Sequence, residues 1–394
     1  MICPFCSLLC DADDLNEIQC DRRSSSLSLF ELSQDTNKRL LPEADRLKSA
    51  RESLRQAKRV LVAGRIASVA TARAAVAFAA KFNATLDLAE SGSVFRNVLA
   101  IQRVGIYSVS LAEARDHTDL FIVVGDDSIH QTVPRMPNAL SRGASRKQTV
   151  LLLGTFSIAG VEVWRNAGFD VWSVQCDLNE VPKALSQWSK WSDDRKENTV
   201  QGTSMSGPLF HRLSNAGYTT VVWCSKNLPM EQADLWVERM IQWIAKRNEE
   251  TRCAAIPWAS FDGTFVQVCT WLTGFPGRVA FRNGAPEYDP QKFTYERWIE
   301  QTSMSRQVES VVVLIDETIA ASSFFTPLEK QLLNCSTVIE LTGNSELFPT
   351  SIAGLETGAD MFRADQTLLA HVSPTSKREP FGKPASIWLQ GLST

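Results

Sequence analysis

The chain has 394 residues, 44% of them hydrophobic, with 41 basic side chains against 44 acidic and a formal net charge of −3. At roughly 150 residues per domain, this length predicts two or three domains with cores large enough to need no disulfide or metal scaffold. The near-balance of charge argues against an extended basic nucleic-acid surface or a polybasic membrane anchor, and no apolar run approaches the ~18–20 residues of a membrane span.

The opening Met-Ile-Cys-Pro-Phe-Cys carries neither the basic nor the apolar region of a secretion signal. Nine cysteines, four of them within the first twenty residues, fit a reducing compartment better than a disulfide framework. The expectation is a soluble cytoplasmic protein. Arg59–Gly64 (RVLVAG) predicts a buried strand, and Ser68–Phe82 a helix of good formers with an Ala-rich face. Further strands are predicted at Asp119–Gly125, Thr149–Gly154, Asp170–Cys176, Tyr218–Cys224 and Arg252–Trp258. Others follow at Arg278–Arg282, Glu309–Asp316 and Ser336–Leu341. Between them lie helical patterns such as Met230–Asn248, with its stripe of Leu235, Met240, Ile241 and Ile244, and Leu328–Asn334. Continuous apolar strands alternating with helices predict an α/β fold with Rossmann-like parallel sheets in at least two layers.

The polar stretch Ser192–Pro208 reads as a linker. The predicted organisation is therefore sequential: an N-terminal cysteine-containing segment (1–45), a first α/β domain (46–192), a second (193–342), and a C-terminal segment (343–394) packing back on them. The sequence contains no G-x-G-x-x-G, no G-x-x-x-x-G-K-[ST] and no G-x-S-x-G, so the common phosphate cradles and nucleophile elbow are absent. His117, His130, His211 and His371 stand alone, with no H-x-H or H-E-x-x-H pair. Trp188, Trp191, Trp236 and Trp243 read as core or interface anchors. Cys3-x2-Cys6-x3-Cys10, with Cys20 as fourth thiol, has a spacing that lets thiolates converge on an iron–sulfur cluster or a tetrahedral zinc. The other reading is a loop of buried small hydrophobes.

Several segments, in order along the chain, resemble the B-type subunit of formylmethanofuran dehydrogenase, in the molybdopterin oxidoreductase superfamily. They are the opening CPFCSLLCDA, Val104–Asp127 with the following VPRMPNALSR, Cys269–Thr294 (CTWLTGFPGRVAFRNGAPEYDPQKFT) and Thr350–Leu369 (TSIAGLETGADMFRADQTLL). The resemblance implies a tungsten or molybdenum pterin that interconverts carbon dioxide and formate, fed by iron–sulfur clusters. It places the metal-binding thiolate in an S-V-C-H-G sequence, where this chain has Phe95 and Arg96 at the Cys and His positions. The arginine of the family's S-R-G falls on Asn283, with Arg282 one place earlier, and the H-P-R reads Val133-Pro134-Arg135. Phenylalanine offers a metal no lone pair. These departures resemble the formyltransferase/hydrolase complexes of one-carbon metabolism, which move formyl between tetrahydromethanopterin and a methanofuran-like carrier and release formate.

The resemblance therefore implies a redox-inactive B-type scaffold with no catalytic residue of its own and with pterin and tungsten or molybdenum lost. Its implied partners are the hydrolase (A), C and formyltransferase (D) type subunits, and the anionic carrier, for which Arg96, Arg103 and Arg135 are candidate contacts. Two other readings stand beside it: an active tungsten or molybdenum subunit with a substitute ligand such as Ser93, and an iron–sulfur electron-transfer protein using Cys3, Cys6, Cys10 and Cys20.

Overall fold

The computed structural model describes residues 1–12, 18–33, 41–89, 91–143, 148–188, 199–200, 203–204, 207–228, 231–258, 262–304, 309–318, 337–343, 345, 347–376, 379–380 and 382–394. Its strands, in chain order, are β1 (Arg59–Arg65), β2 (Thr85–Leu86), β3 (Leu120–Asp126), β4 (Thr149–Thr155), β5 (Asp170–Gln175), β6 (Thr199–Val200), β7 (Thr203–Ser204), β8 (Tyr218–Cys224) and β9 (Arg252–Trp258). They continue with β10 (Val279–Arg282), β11 (Ala285–Tyr288), β12 (Ser310–Asp316), β13 (Thr337–Thr342), β14 (Phe348–Pro349), β15 (Ala359–Phe362) and β16 (Leu369–Val372). The first four helices are α1 (Asp21–Ser33), α2 (Glu43–Gln56), α3 (Val69–Lys81) and α4 (Gly92–Val104).

Two compact units divide the chain, and neither is continuous in sequence. The first gathers residues 1–91, 261–363 and 369–394; the second gathers 92–260 and 364–368. This differs from the sequential division predicted above. Strands from both sides of the 192/193 boundary lie in one sheet, and β1 pairs with β12 across most of the chain. The reason is topological. Parallel strands are joined by crossovers, so neighbours in a sheet need not be neighbours in sequence.

The first unit is built on a seven-stranded sheet of order β11-β10-β2-β1-β12-β13-β14. Its strands run parallel from β2 through β14, while β10 joins antiparallel to β2 and β11 folds back on β10. β1 and β12 are buried along nearly their whole length, as strands covered on both faces must be. Tyr295, Trp298 and Ile299 pack against Leu61, Ala63, Val312 and Leu314. At Gly64 an added Cβ would stand 1.9 Å from the Ile315 carbonyl oxygen, so only glycine lets β1 lie in register with β12 there. α3 is capped by Ser68, whose side chain accepts from Thr71 N, and its fully buried Ala72, Ala75 and Ala79 allow close approach. Helices Asp262–Thr273 and Ala385–Ser393 pack on it, so the final residues fold back onto the first unit.

The second unit carries a five-stranded, all-parallel sheet of order β5-β4-β3-β8-β9. Helix Ala233–Arg247 buries Trp236, Val237, Met240, Ile241 and Ile244 against it, as the apolar stripe predicts, while Leu235 is exposed. Trp236 and Trp243 are core side chains whose indoles donate to the carbonyls of Leu178 (2.6 Å) and Leu185 (3.1 Å). The described part of the predicted linker contains the β6–β7 ribbon and the start of helix Gly207–Asn215. Residues 191–198 and the predicted helix Leu328–Asn334 lie outside the described residues, and nothing is described of the Trp188 side chain. No described helix is long and apolar enough to cross a membrane.

Candidate functional site

Open α/β sheets receive ligands at the carboxyl ends of their strands, with phosphates seated on the helix N-terminus after the first strand. In the first unit that seat lies between β1 and α3, and the chain fills it itself. Glu317, directly after β12 and 2% exposed, accepts from Ala67 N (3.1 Å), Ser68 N (3.0 Å) and Ser68 Oγ (2.9 Å), and Thr71 Oγ1 donates to it as well. Burial pushes its carboxyl upward, against the pull of these donors. Beside it Arg65 pairs with Asp316 at 2.8 Å. A diphosphate brought to this turn would meet a carboxylate already holding its donors, so these residues do not fit a dinucleotide-type pterin.

One strand away, past the end of β2, Asp87 is fully buried. It accepts from Tyr295 N (2.8 Å) and from Ser91 Oγ (2.9 Å), and Ser91 Oγ in turn accepts from Arg278 Nε (3.2 Å) and Nη2 (2.9 Å). Arg278 also donates to the Pro290 carbonyl at 2.7 Å, and its Nε stands 3.9 Å from Asp87 Oδ2. Burial pushes the Asp87 carboxyl up to about 7, opposed by Arg278, the Tyr295 amide and Ser91. The set ties β2, β10 and the start of helix Tyr295–Met304 together through a buried polar network centred on Asp87 Oδ2. With Asp87 and Ser91 both at 0% exposure, it holds the fold and presents no acid or base to solvent.

The residues singled out by sequence are spread over both units. In the second unit Phe95 is 1% exposed on α4. Arg96 donates from Nη1 to the carbonyls of Ser225 and Leu228, both at 2.7 Å, tying α4 to the turn that follows β8. Its neighbour Asn97 accepts from the Trp223 indole (3.0 Å) and donates to Ser225 Oγ (3.3 Å). Arg103 pairs with Asp234 (2.8 Å) and Glu238 (2.6 Å). Two of the three arginines offered as carrier contacts are thus committed to the chain's own groups. Arg135, half-buried, has no side-chain partner among the described residues.

Asn283 lies in the first unit, at the tip of the β10–β11 hairpin and at the amino end of β2, where Gly284 N donates to Asn83 Oδ1 (3.4 Å). Asn283 (φ 52°) and Gly284 (φ 76°) form a two-residue turn with both residues left-handed, the geometry that selects Asn-Gly. Arg282, exposed, pairs with Glu287 at 3.1 Å. Neither residue stands near the carboxyl end of β2, which instead holds Arg278.

The N-terminal cysteines are drawn together without presenting a common centre. Cys3 N donates to the Cys10 carbonyl (2.8 Å) and Leu9 N to that of Cys6 (3.1 Å), folding the segment into a tight knuckle. Burial, with Cys10 and Cys3 nearby, pushes the Cys6 thiol up to about 12, while Arg22, which donates to the Phe5 carbonyl (2.9 Å), pulls it down. Cys20, just before α1, packs with Cys3 and Cys10 among Phe5, Ile18, Phe30 and Leu355. Among the described residues no group of three or more His, Cys, Asp or Glu side chains is arranged to hold a metal ion.

Sequence reasoning missed Glu317, Asp87, Ser91 and Arg278. The available signals were a carboxylate inside the apolar run Thr85–Ala89 and the Asp-Glu pair that closes VVVLID.

No protein-family model matches the chain. It is similar to the B-type subunit of the formyltransferase/hydrolase complex (Fhc) of Methylorubrum extorquens, 27% identical over 264 residues, which are 65% of this chain and 68% of that protein. Its fold is similar to that of a chain in the crystal structure of the formyltransferase/hydrolase complex FhcABCD from the same organism in complex with methylofuran. There the TM-score is 0.69 at 19% identity, over 90% of this chain and 95% of that one.

Proposed function

We propose that this chain is a B-type subunit of a cytoplasmic formyltransferase/hydrolase complex, and that it serves there as a scaffold without a redox centre. The reading rests on its similarity to the B-type subunit of Fhc. The observation that carries the loss of redox chemistry is Phe95. At the position where the resemblance places a metal-binding thiolate stands a phenyl ring that is 1% exposed, followed by an arginine bonded to two backbone carbonyls. Glu317 in the phosphate seat supports the same conclusion for the pterin. In this reading the chain assembles with hydrolase (A), C and formyltransferase (D) type subunits and works in methanofuran-linked one-carbon metabolism.

The test is co-expression of the tagged chain with those three subunits, followed by affinity purification, metal analysis and formyl-transfer assays. The expected result is a complex containing all four chains that turns over without tungsten or molybdenum. Failure to retain the partners, or stoichiometric tungsten or molybdenum, overturns the reading. Phe95→Ala sharpens it. Removing a buried ring costs about 3–5 kcal/mol through cavity formation, so yield of assembled complex should fall while turnover per assembled complex stays unchanged. A loss of turnover at full assembly would assign Phe95 a part in the chemistry.

A further inference from the structure

Lys58, Arg59, Arg282 and Lys292 line a pocket of about 600 Å³ within the first unit. They come from three separate stretches of chain: the approach to β1, the end of β10, and the loop leading to helix Tyr295–Met304. The pocket lies at the amino ends of β1 and β2, the opposite edge from Glu317 and Asp87, with Phe281 and Trp298 among its walls. Its described lining contains no Asp or Glu. In a chain whose net charge is −3, four cations converging on one hollow without a carboxylate is a departure from the surrounding mixture of signs.

The charges are also mostly uncommitted. Lys58 is exposed, and its ammonium has no partner among the described residues. Lys292, also exposed, holds its ammonium 5.3 Å from the Phe293 ring, while its backbone N–H donates to Oδ1 of Asp289 (2.8 Å), a carboxylate outside the lining that its charge helps to hold low. Arg59 is half-buried, lies over the Trp298 ring at 5.0 Å and donates to Gln301 Oε1 (3.2 Å), a neutral acceptor. Burial lowers its affinity for its proton, so the guanidinium is partly desolvated without a counter-charge. Arg282 forms a direct ion pair with Glu287 at 3.1 Å, which also stands outside the lining. Concave walls focus the field of such charges, and an anion carrying several charges can answer several of them at once.

We propose that this pocket binds a small multivalent anion, of the diphosphate or tricarboxylate kind, held by Lys58, Arg59 and Lys292 with Arg282 at the rim. A volume of this size takes such an anion with room for an attached group.

Isothermal titration of the full-length chain with pyrophosphate and, separately, with citrate at low ionic strength tests this. The expected result is saturable binding of at least one, weakened by added salt. Binding of pyrophosphate alone assigns phosphate chemistry, of citrate alone carboxylate chemistry, and of both a site selected by charge. Lys58→Ala and Lys292→Ala should each weaken binding about tenfold, the worth of one charge-assisted contact. Arg239→Ala, which removes an exposed cation in the second unit, should leave it unchanged. The paired variant Lys58→Gln/Lys292→Gln, checked for an unaltered melting temperature, guards against a folding artefact. Absence of saturable binding by both anions overturns the proposal, as does equal affinity in the paired variant.

Discussion

The two edges of the seven-stranded sheet treat charge in opposite ways. At the carboxyl edge, where open α/β folds seat ligands, Glu317, Asp87, Arg278, Arg65 and Asp316 are all turned onto the chain's own donors and acceptors. At the amino edge Lys58, Arg59 and Lys292 face a hollow whose described lining holds no carboxylate. The first edge has spent its polar groups on holding strands and helices together. The second has left them for solvent or a ligand. One sheet can therefore fill the ligand-binding edge of its fold with its own side chains and still present a charged hollow at the other.

The sharpest way to break this contrast is Glu317→Ala. Four neutral donors that now share one carboxylate would be left facing a void, and each buried donor left unsatisfied costs about 1–3 kcal/mol. The melting temperature should fall by many degrees, and sulfate or phosphate should restore part of it by occupying the vacated seat. An Ala variant as stable as the parent would show that the carboxylate does not close the edge.

A smaller effect, and one that reports on protons, is expected at Asp87. Burial raises its carboxyl from 3.8 to about 7 in the folded chain, so between those values the folded state binds more protons than the unfolded state. Its contribution to stability is therefore full at low pH and is lost as pH rises across that window. Asp87→Asn cannot ionise, so its stability relative to the parent should rise between pH 4 and pH 7, the limits of that same window, and level off above it. Chemical denaturation at a series of pH values reads this difference. A constant difference would place Asp87 ionised throughout, firmly paired with Arg278.

The smallest effect belongs to Asn283. A left-handed residue other than Gly or Asn costs about 1–2 kcal/mol. Asn283→Gly should be nearly neutral and Asn283→Arg, the residue implied at this position by the family resemblance, should destabilise by about that amount. An equally stable Arg variant would mean that the hairpin does not select its turn residues.

Much of the fold was legible because it rests on local patterns. β1, β3, β4, β8, β9 and β12 fall where the continuous apolar runs place them, and the stripe in Met230–Asn248 becomes helix Ala233–Arg247. What the patterns could not supply was partnership. Nothing in residues 59–65 says that their neighbour is 310–316, so a division in chain order was the natural expectation. The site was less legible for the same reason. Phe95 could be read as a missing ligand, because that inference needs only the side chain's chemistry. Glu317 could not be read as the occupant of a helix terminus, because its role exists only once β12 lies beside β1. The Asn-Gly of the β10–β11 hairpin was readable as a turn, yet alignment with the family's arginine directed attention to what was absent there.

The pairing of β1 with β12 also has a consequence in time. Arg65 and its partner Asp316 are 251 residues apart. At ordinary elongation rates of about 5–20 residues per second, the ribosome needs on the order of ten to fifty seconds between making one and making the other. During that interval β1, apolar between its two terminal arginines, has no β12 edge to join, while residues 92–260 of the second unit are being made. The nascent chain therefore carries an unpaired strand edge through most of its synthesis. Chaperone demand should peak just before residue 316 emerges.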